Sequence, residues 1–182
     1  MSYDFDKDQL ALFKIHKKII LNCTADTLFE AITKHTSAWW GQPYLQSKEA
    51  QDIIIEPRLF GKMYEVWGND EGAEWGRVVG FKRNTFLEIE GRLAMPGAVS
   101  GVLYFNMETE KVTTLRFAHY ALGDINQSQV ESFNEGWTNL LDVRLRAFVE
   151  QGARYGIGHP APPSQASNQQ EEDVIHFEMP NQ

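Results

Sequence analysis

The stretch 128–151 constrains the fold of this chain more than any other. Placed at about 100° per residue, Val130, Phe133, Trp137, Leu140, Leu141, Leu145 and Phe148 form one apolar stripe, with Glu131, Glu135, Asp142, Arg146 and Glu150 opposite. A polar group, 124–128, opens this long helix and Gly152 closes it as a C-cap. Burying a large apolar side chain is worth about 1.5 to 3 kcal/mol. A helix with such a stripe has to find a broad apolar surface elsewhere in the chain.

Almost all of the remaining sequence reads as strand. From Leu10 to Leu21, Phe13, Ile15, Ile19 and Leu21 fall on one side at period two. Thr24 then has the chemistry of an N-cap for a short helix over 25–32, and a second helical piece over 34–40 stops at Gly41 and Pro43. Strand patterns follow at 53–56, 61–67, 73–81, 86–93, 102–107 and 113–122. The intervening segments 68–72, 82–84 and 108–111 have the residues and lengths of hairpin turns. Residues 95–101 form a longer glycine-containing connection of the kind that lies over a pocket mouth. The expected class is α+β: a curved antiparallel sheet of about seven strands against a long C-terminal helix, with two short helices after the first strand.

Composition removes several functional classes. With 182 residues, 17 basic and 25 acidic, the net charge is −8, and no run of Lys/Arg exceeds the short pair Lys17-Lys18. That gives no electrostatic footprint for nucleic acid or an anionic membrane. No stretch approaches the roughly 20 apolar residues of a membrane span, and the acidic N-terminus does not read as a signal peptide. The expected location is the cytoplasm. One cysteine, Cys23, rules out an internal disulfide, and no Cys or His spacing suggests a structural metal. No cofactor is expected: the glycines of 91–101 lack a strand-turn-helix context, and neither a nucleophile elbow nor a glycosidase acid pair is present.

Charge also divides the chain. After Arg154 there is no Lys or Arg, while Glu171, Glu172, Asp173 and Glu178 lie beyond it. Residues 157–182, rich in Pro, Ser and Gln, therefore read as a flexible acidic tail holding a small apolar patch at 174–177, and 1–10 as an N-terminal extension. The domain proper is 11–156.

The residues 25–32 followed by Trp39-Trp40, the strand 61–66, the strand 113–119, and Phe133 to Trp137 leading into Leu140-Leu141 resemble the helix-grip domains of the START and Bet v 1 superfamily, also called SRPBCC. Within it the chain is similar to the branch of activator of Hsp-90 ATPase homologues. The resemblance implies a cavity between the curved sheet and the last helix, used across the superfamily for lipids, sterols, polyketides or hormones and at times for cyclase or dehydratase chemistry. It implies a small apolar or amphipathic ligand as partner, with a protein partner as the alternative offered by the co-chaperone activators.

Within such a cavity the polar residues on inward faces carry the interest. Arg144 falls within about 20° of Trp137 on the helical wheel, inside the apolar stripe, so it has to meet an acid, reach solvent along its stem, or bind an anionic ligand. Glu65 is its natural partner if Met63, Glu65 and Trp67 point inward; alternation equally permits Tyr64 and Val66 to do so, with Glu65 in solvent. His119 continues the inward set Leu115, Phe117 and Ala121 and is either a hydrogen-bonded core histidine or a proton carrier. Trp39, Trp40, Trp67, Trp75 and Trp137 are core fillers or pocket walls. Gly136, in mid-helix, marks a close contact or spared volume, and Cys23 has the setting of an inert small hydrophobe. No residue is assigned a catalytic role.

Overall fold

In a computed structural model, which describes residues 10–163 and the strand 174–178, the expected strand pattern forms one sheet. Its elements are β1 (Ala11–Leu21), β2 (Asp52–Ile55), β3 (Lys62–Gly68), β4 (Glu71–Lys82), β5 (Phe86–Gly91), β6 (Val99–Thr109), β7 (Thr113–Gly123) and β8 (Val174–Glu178). All neighbours pair antiparallel in the order β2-β3-β4-β5-β6-β7-β1-β8. The turn between β3 and β4 is tighter than the five-residue segment expected. Asn69 and Asp70, at φ 53° and 63°, make it alone, because the residue types tolerate the left-handed region that two-residue hairpins require. Register shifts in β3–β4 and β4–β5 mark bulges, which bend a sheet.

The helices α1 (Ala25–Thr33) and α2 (Thr36–Trp39) follow β1, as expected. Thr24 caps α1 by accepting the Thr27 amide at 3.1 Å. The inward face of β1 is Ala11, Phe13, Ile15, Lys17, Ile19 and Leu21, all buried. Lys17, half of the apparent surface pair Lys17-Lys18, therefore lies under the long helix, where its Nζ donates to Thr138 Oγ1 at 2.8 Å.

That helix runs over 127–151, but it is not uniformly α. It begins as α3 (Gln127–Trp137), continues as a π-helical stretch (Thr138–Leu145) and ends as α4 (Arg146–Gln151). A reciprocal capping box of Asn126 and Gln129 starts it, and Gly152 at φ 69° stops it. The π stretch opens at Thr138, whose hydroxyl donates to the Asn134 carbonyl at 2.9 Å. Such side-chain bonding to the i−4 carbonyl loosens the α ladder. In the widened turns two adjacent pairs, Leu140-Leu141 and Arg144-Leu145, are buried together. Phe133 and Phe148, expected in the stripe, end up half-buried at its margins.

The N-terminal extension and most of the segment read as a tail lie outside the described residues. Within that segment Val174–Glu178 is β8, with Val174 opposite His16 and Glu178 opposite Leu12 of β1. Just before it leaves the domain, the chain folds back on α2: the Tyr155 and Gly156 amides both donate to the Ala38 carbonyl, at 3.1 and 3.0 Å. Gly156 is required there, since a Cβ would stand 2.0 Å from the Ser37 carbonyl oxygen. Gly156→Ala should therefore destabilise the fold by about 1 to 3 kcal/mol. A denaturant titration checks this, the midpoint falling with the slope unchanged.

Candidate functional site

On β3, Met63 and Glu65 are buried while Tyr64 and Val66 are half-exposed, so of the two registers left open by alternation the chain adopts the one with Glu65 inward. Four N–H groups converge on its carboxylate. Trp75 Nε1 and the Gln46 amide donate to Oε1 at 3.1 and 2.7 Å, and Trp67 Nε1 and the Ser47 amide donate to Oε2 at 2.9 and 3.3 Å. Donors alone suit an ionised carboxylate, which only accepts.

Arg144 is buried too, at 2% exposure. Among the described residues it meets neither Glu65 nor any other acid, and it is closed to solvent. Its Nε donates to Asn139 Oδ1 at 2.8 Å, Nη1 to the Tyr155 carbonyl at 3.0 Å and Nη2 to the Gln42 carbonyl at 3.0 Å, with the guanidinium 5.0 Å from the Tyr44 ring. Burial pulls its pKa below the ordinary arginine value, yet an arginine remains cationic. The expected Glu65–Arg144 pair is thus replaced by something indirect. Both charges grip the segment 42–47, Arg144 at its Gln42 end and Glu65 at its Gln46–Ser47 end. Between them the Tyr44 carbonyl accepts Trp40 Nε1 at 2.8 Å, so the segment is strapped down along its length.

Beneath this strap is a cavity of about 210 Å³, walled by Trp40, Trp75, Trp137, Phe133 and Leu140, roofed by Pro43, Tyr44, Leu45 and Gln46, and flanked by Leu93 and Ala94. Trp40 stands edge-on to both Trp75 and Trp137, with centroids 5.4 and 5.3 Å away. Gly136 leaves room for the Tyr44 ring, which a Cβ would meet at 3.3 Å. The mouth is bordered by Leu93-Ala94, at φ 52° and 63°, just ahead of the connection expected to lie there.

Of the residues singled out in the sequence, Trp75 and Trp137 line this cavity. Trp39 is buried elsewhere, donating to the Ala31 carbonyl at 2.9 Å, and Trp67 serves Glu65. His119 is fully buried among Phe13, Phe133 and Trp137, whose Nε1 donates to His119 Nδ1 at 3.0 Å. Among the described residues its Nε2 has no hydrogen-bond partner, and desolvation pulls the pKa down to about 3. Cys23 is held as a thiol, its pKa raised to about 11 by burial and then by Glu150. Sequence reasoning passed over Tyr44, for which Gly136 was the signal; Trp40, one of the five indoles read as core filler or pocket wall, and Phe133, placed in the stripe, line the cavity as well. Among the described residues no group of three or more His, Cys, Asp or Glu side chains is placed to hold a metal ion.

No family model matches the chain, and no curated protein matches it in sequence. Solved structures do match in shape. The Aha1 dimer from Colwellia psychrerythraea superposes with a TM-score of 0.55 at 19% identity, over 76% of this chain and 97% of that one. An uncharacterised protein from Rhizobium leguminosarum gives 0.61 at 15% identity over 79% and 98%. DynU16, a protein of the dynemicin biosynthetic locus, gives 0.57 at 16% identity over 78% of this chain and 49% of its own. At these identities the likeness is one of fold: the chain has the helix-grip fold, and an Aha1 protein shares it.

Two outcomes follow from the buried polar groups. Glu65→Gln sets an amide N–H₂ among N–H donors and should cost about 2 to 4 kcal/mol, with amide exchange at Gln46 and Ser47 accelerated. His119 is neutral when folded and binds a proton when unfolded, so its contribution is whole above pH 6.5 and falls as pH drops from there toward about 3. The loss is about 1.4 kcal/mol per pH unit. Urea titrations between pH 7 and pH 4.5 should show a shallower acid loss in His119→Phe than in the wild type; parallel curves would refute the assignment.

Proposed function

We propose that this chain binds a small apolar or amphipathic molecule between sheet and long helix, as a carrier or a sensor, in the cytoplasm. The observation that carries this reading is the cavity of about 210 Å³ walled by three indoles and a phenyl ring under a pinned strap. Drug-sized ligands occupy about 300 to 1,000 Å³, whereas an apolar void of about 150 Å³ takes up benzene. The fitting ligand is therefore a compact ring compound, with Tyr44 and Gln46 supplying polar contacts at the roof. Glu65 and Arg144 act in this reading as positioning residues for the strap. Among the described residues, no helix is long and apolar enough to cross a membrane.

A cyclase- or dehydratase-like activity would need a proton carrier at the cavity. Neither His119 nor Glu65 lines it, and the Glu65 carboxylate is already bonded to four donors. The protein-interaction alternative gains support only from the Aha1 neighbour.

Calorimetry with toluene as the probe tests the binding reading. The wild type should bind it, and Gly136→Leu, which drives a side chain against the Tyr44 ring and into the cavity, should weaken binding at least tenfold. Equal affinity in the two proteins, or no binding at the solubility limit of toluene, would reject the cavity as a ligand site.

A further inference from the structure

The three indoles that wall the cavity under the strap all have their N–H groups bonded. Trp40 Nε1 donates to the Tyr44 carbonyl at 2.8 Å, Trp75 Nε1 to Glu65 Oε1 at 3.1 Å and Trp137 Nε1 to His119 Nδ1 at 3.0 Å. Glu65 and His119 do not line the cavity, so Trp75 and Trp137 turn their electropositive N–H edges out of it. What they leave for a ligand is ring surface, which carries the negative lobe of the aromatic quadrupole. An N–H that donates to an acceptor also polarises its own ring toward greater electron density. Trp40 stands at 83° to both Trp75 and Trp137, with centroids 5.4 and 5.3 Å away. A group seated against these walls is within about 6 Å of more than one ring, the reach of a cation–π contact.

Among the described residues no Lys, Arg or His lines the cavity, so an anionic ligand has no counter-charge there. An acceptor-rich neutral ligand finds only the side chains of Tyr44, Gln46 and Ser132 as donors. On the reading that a ligand enters this space, we propose that it selects a compact ring cation, an N-alkylated heteroaromatic whose charge sits against the indole faces. Tryptophan is the strongest aromatic partner for a cation, and the contact strengthens where water is excluded. The two buried charges behind the walls are opposite in sign, Glu65 bonded to Trp75 and Arg144 against the Tyr44 ring, so their fields offset. At the roof, burial holds the Tyr44 hydroxyl above its ordinary pKa, Arg144 pulls it down and Glu135 pushes it up, which places an exposed acid beside the cavity. The chain's net charge of −8 draws a cation toward the surface in preference to an anion.

N-methylpyridinium and toluene share one shape and differ by a single positive charge, so the pair isolates the charge. Calorimetry on the full chain should give N-methylpyridinium an affinity about tenfold above that of toluene. Biosynthetic replacement of tryptophan by 5-fluorotryptophan withdraws electron density from each ring at nearly constant size. It should weaken binding of N-methylpyridinium severalfold and leave toluene unchanged. Toluene bound as tightly as N-methylpyridinium, or more tightly, would overturn the choice of a cation and leave an apolar ligand site standing. Fluorination that weakens both probes alike, or neither, would overturn it too, because the ring faces would then not be reading charge. Failure of both probes to bind would reject the cavity itself as a ligand site.

Discussion

Two buried charges hold one short piece of backbone, and the rest of the interior is arranged around that fact. An uncompensated buried ion costs several kcal/mol, so Glu65 and Arg144 both need partners. Among the described residues the partners are neutral: amides and indoles for the carboxylate; carbonyls, an amide oxygen and a ring face for the guanidinium. The segment 42–47 supplies groups to both. Removing it would take two of the four donors from Glu65 and one of the three acceptors from Arg144, so it stays in place as a wall of the apolar space.

This arrangement divides the polar interior from the binding surface. The charges lie behind the strap, and the cavity itself is lined mainly by rings and aliphatic side chains. His119 belongs to the first group. It fixes Trp137 through Nδ1 while Phe13 and Phe133 enclose it, so its chemistry is that of a hydrogen-bond acceptor orienting an indole. Arg144 additionally ties the returning segment after the helix, through the Tyr155 carbonyl, to the same strap. One side chain thereby couples the C-terminal end of the domain to the roof of the cavity.

Much of the fold was legible because it rests on local signals: period-two alternation, turn residues, and a stripe too large to leave in water. The same signals found Arg144 on the buried face and placed Trp137 and Trp75 in the interior. They failed where the partner is backbone. A guanidinium on an apolar stripe predicts an acid, and nothing in the residue pattern says that Gln42 and Tyr155 will offer carbonyls, since that depends on how two irregular segments run. Lys17 was missed for a related reason: next to Lys18 it reads as surface charge, and only pairing with β7 and contact with Thr138 turn it inward. The π-helical stretch was invisible too, because its origin is the Thr138 hydroxyl and not an apolar period. Tyr44 escaped because the strap that carries it has no period.

The central claim is that the space under the strap, and no other part of this tryptophan-rich interior, receives a ligand. Indole N–H resonances of the full chain, assigned and followed through a titration with toluene, read it directly. Trp40, Trp75 and Trp137 should shift and saturate together while Trp39 and Trp67, which do not line the cavity, keep their positions. Shifts of similar size at all five indoles, or shifts confined to Trp39 and Trp67, would contradict the account.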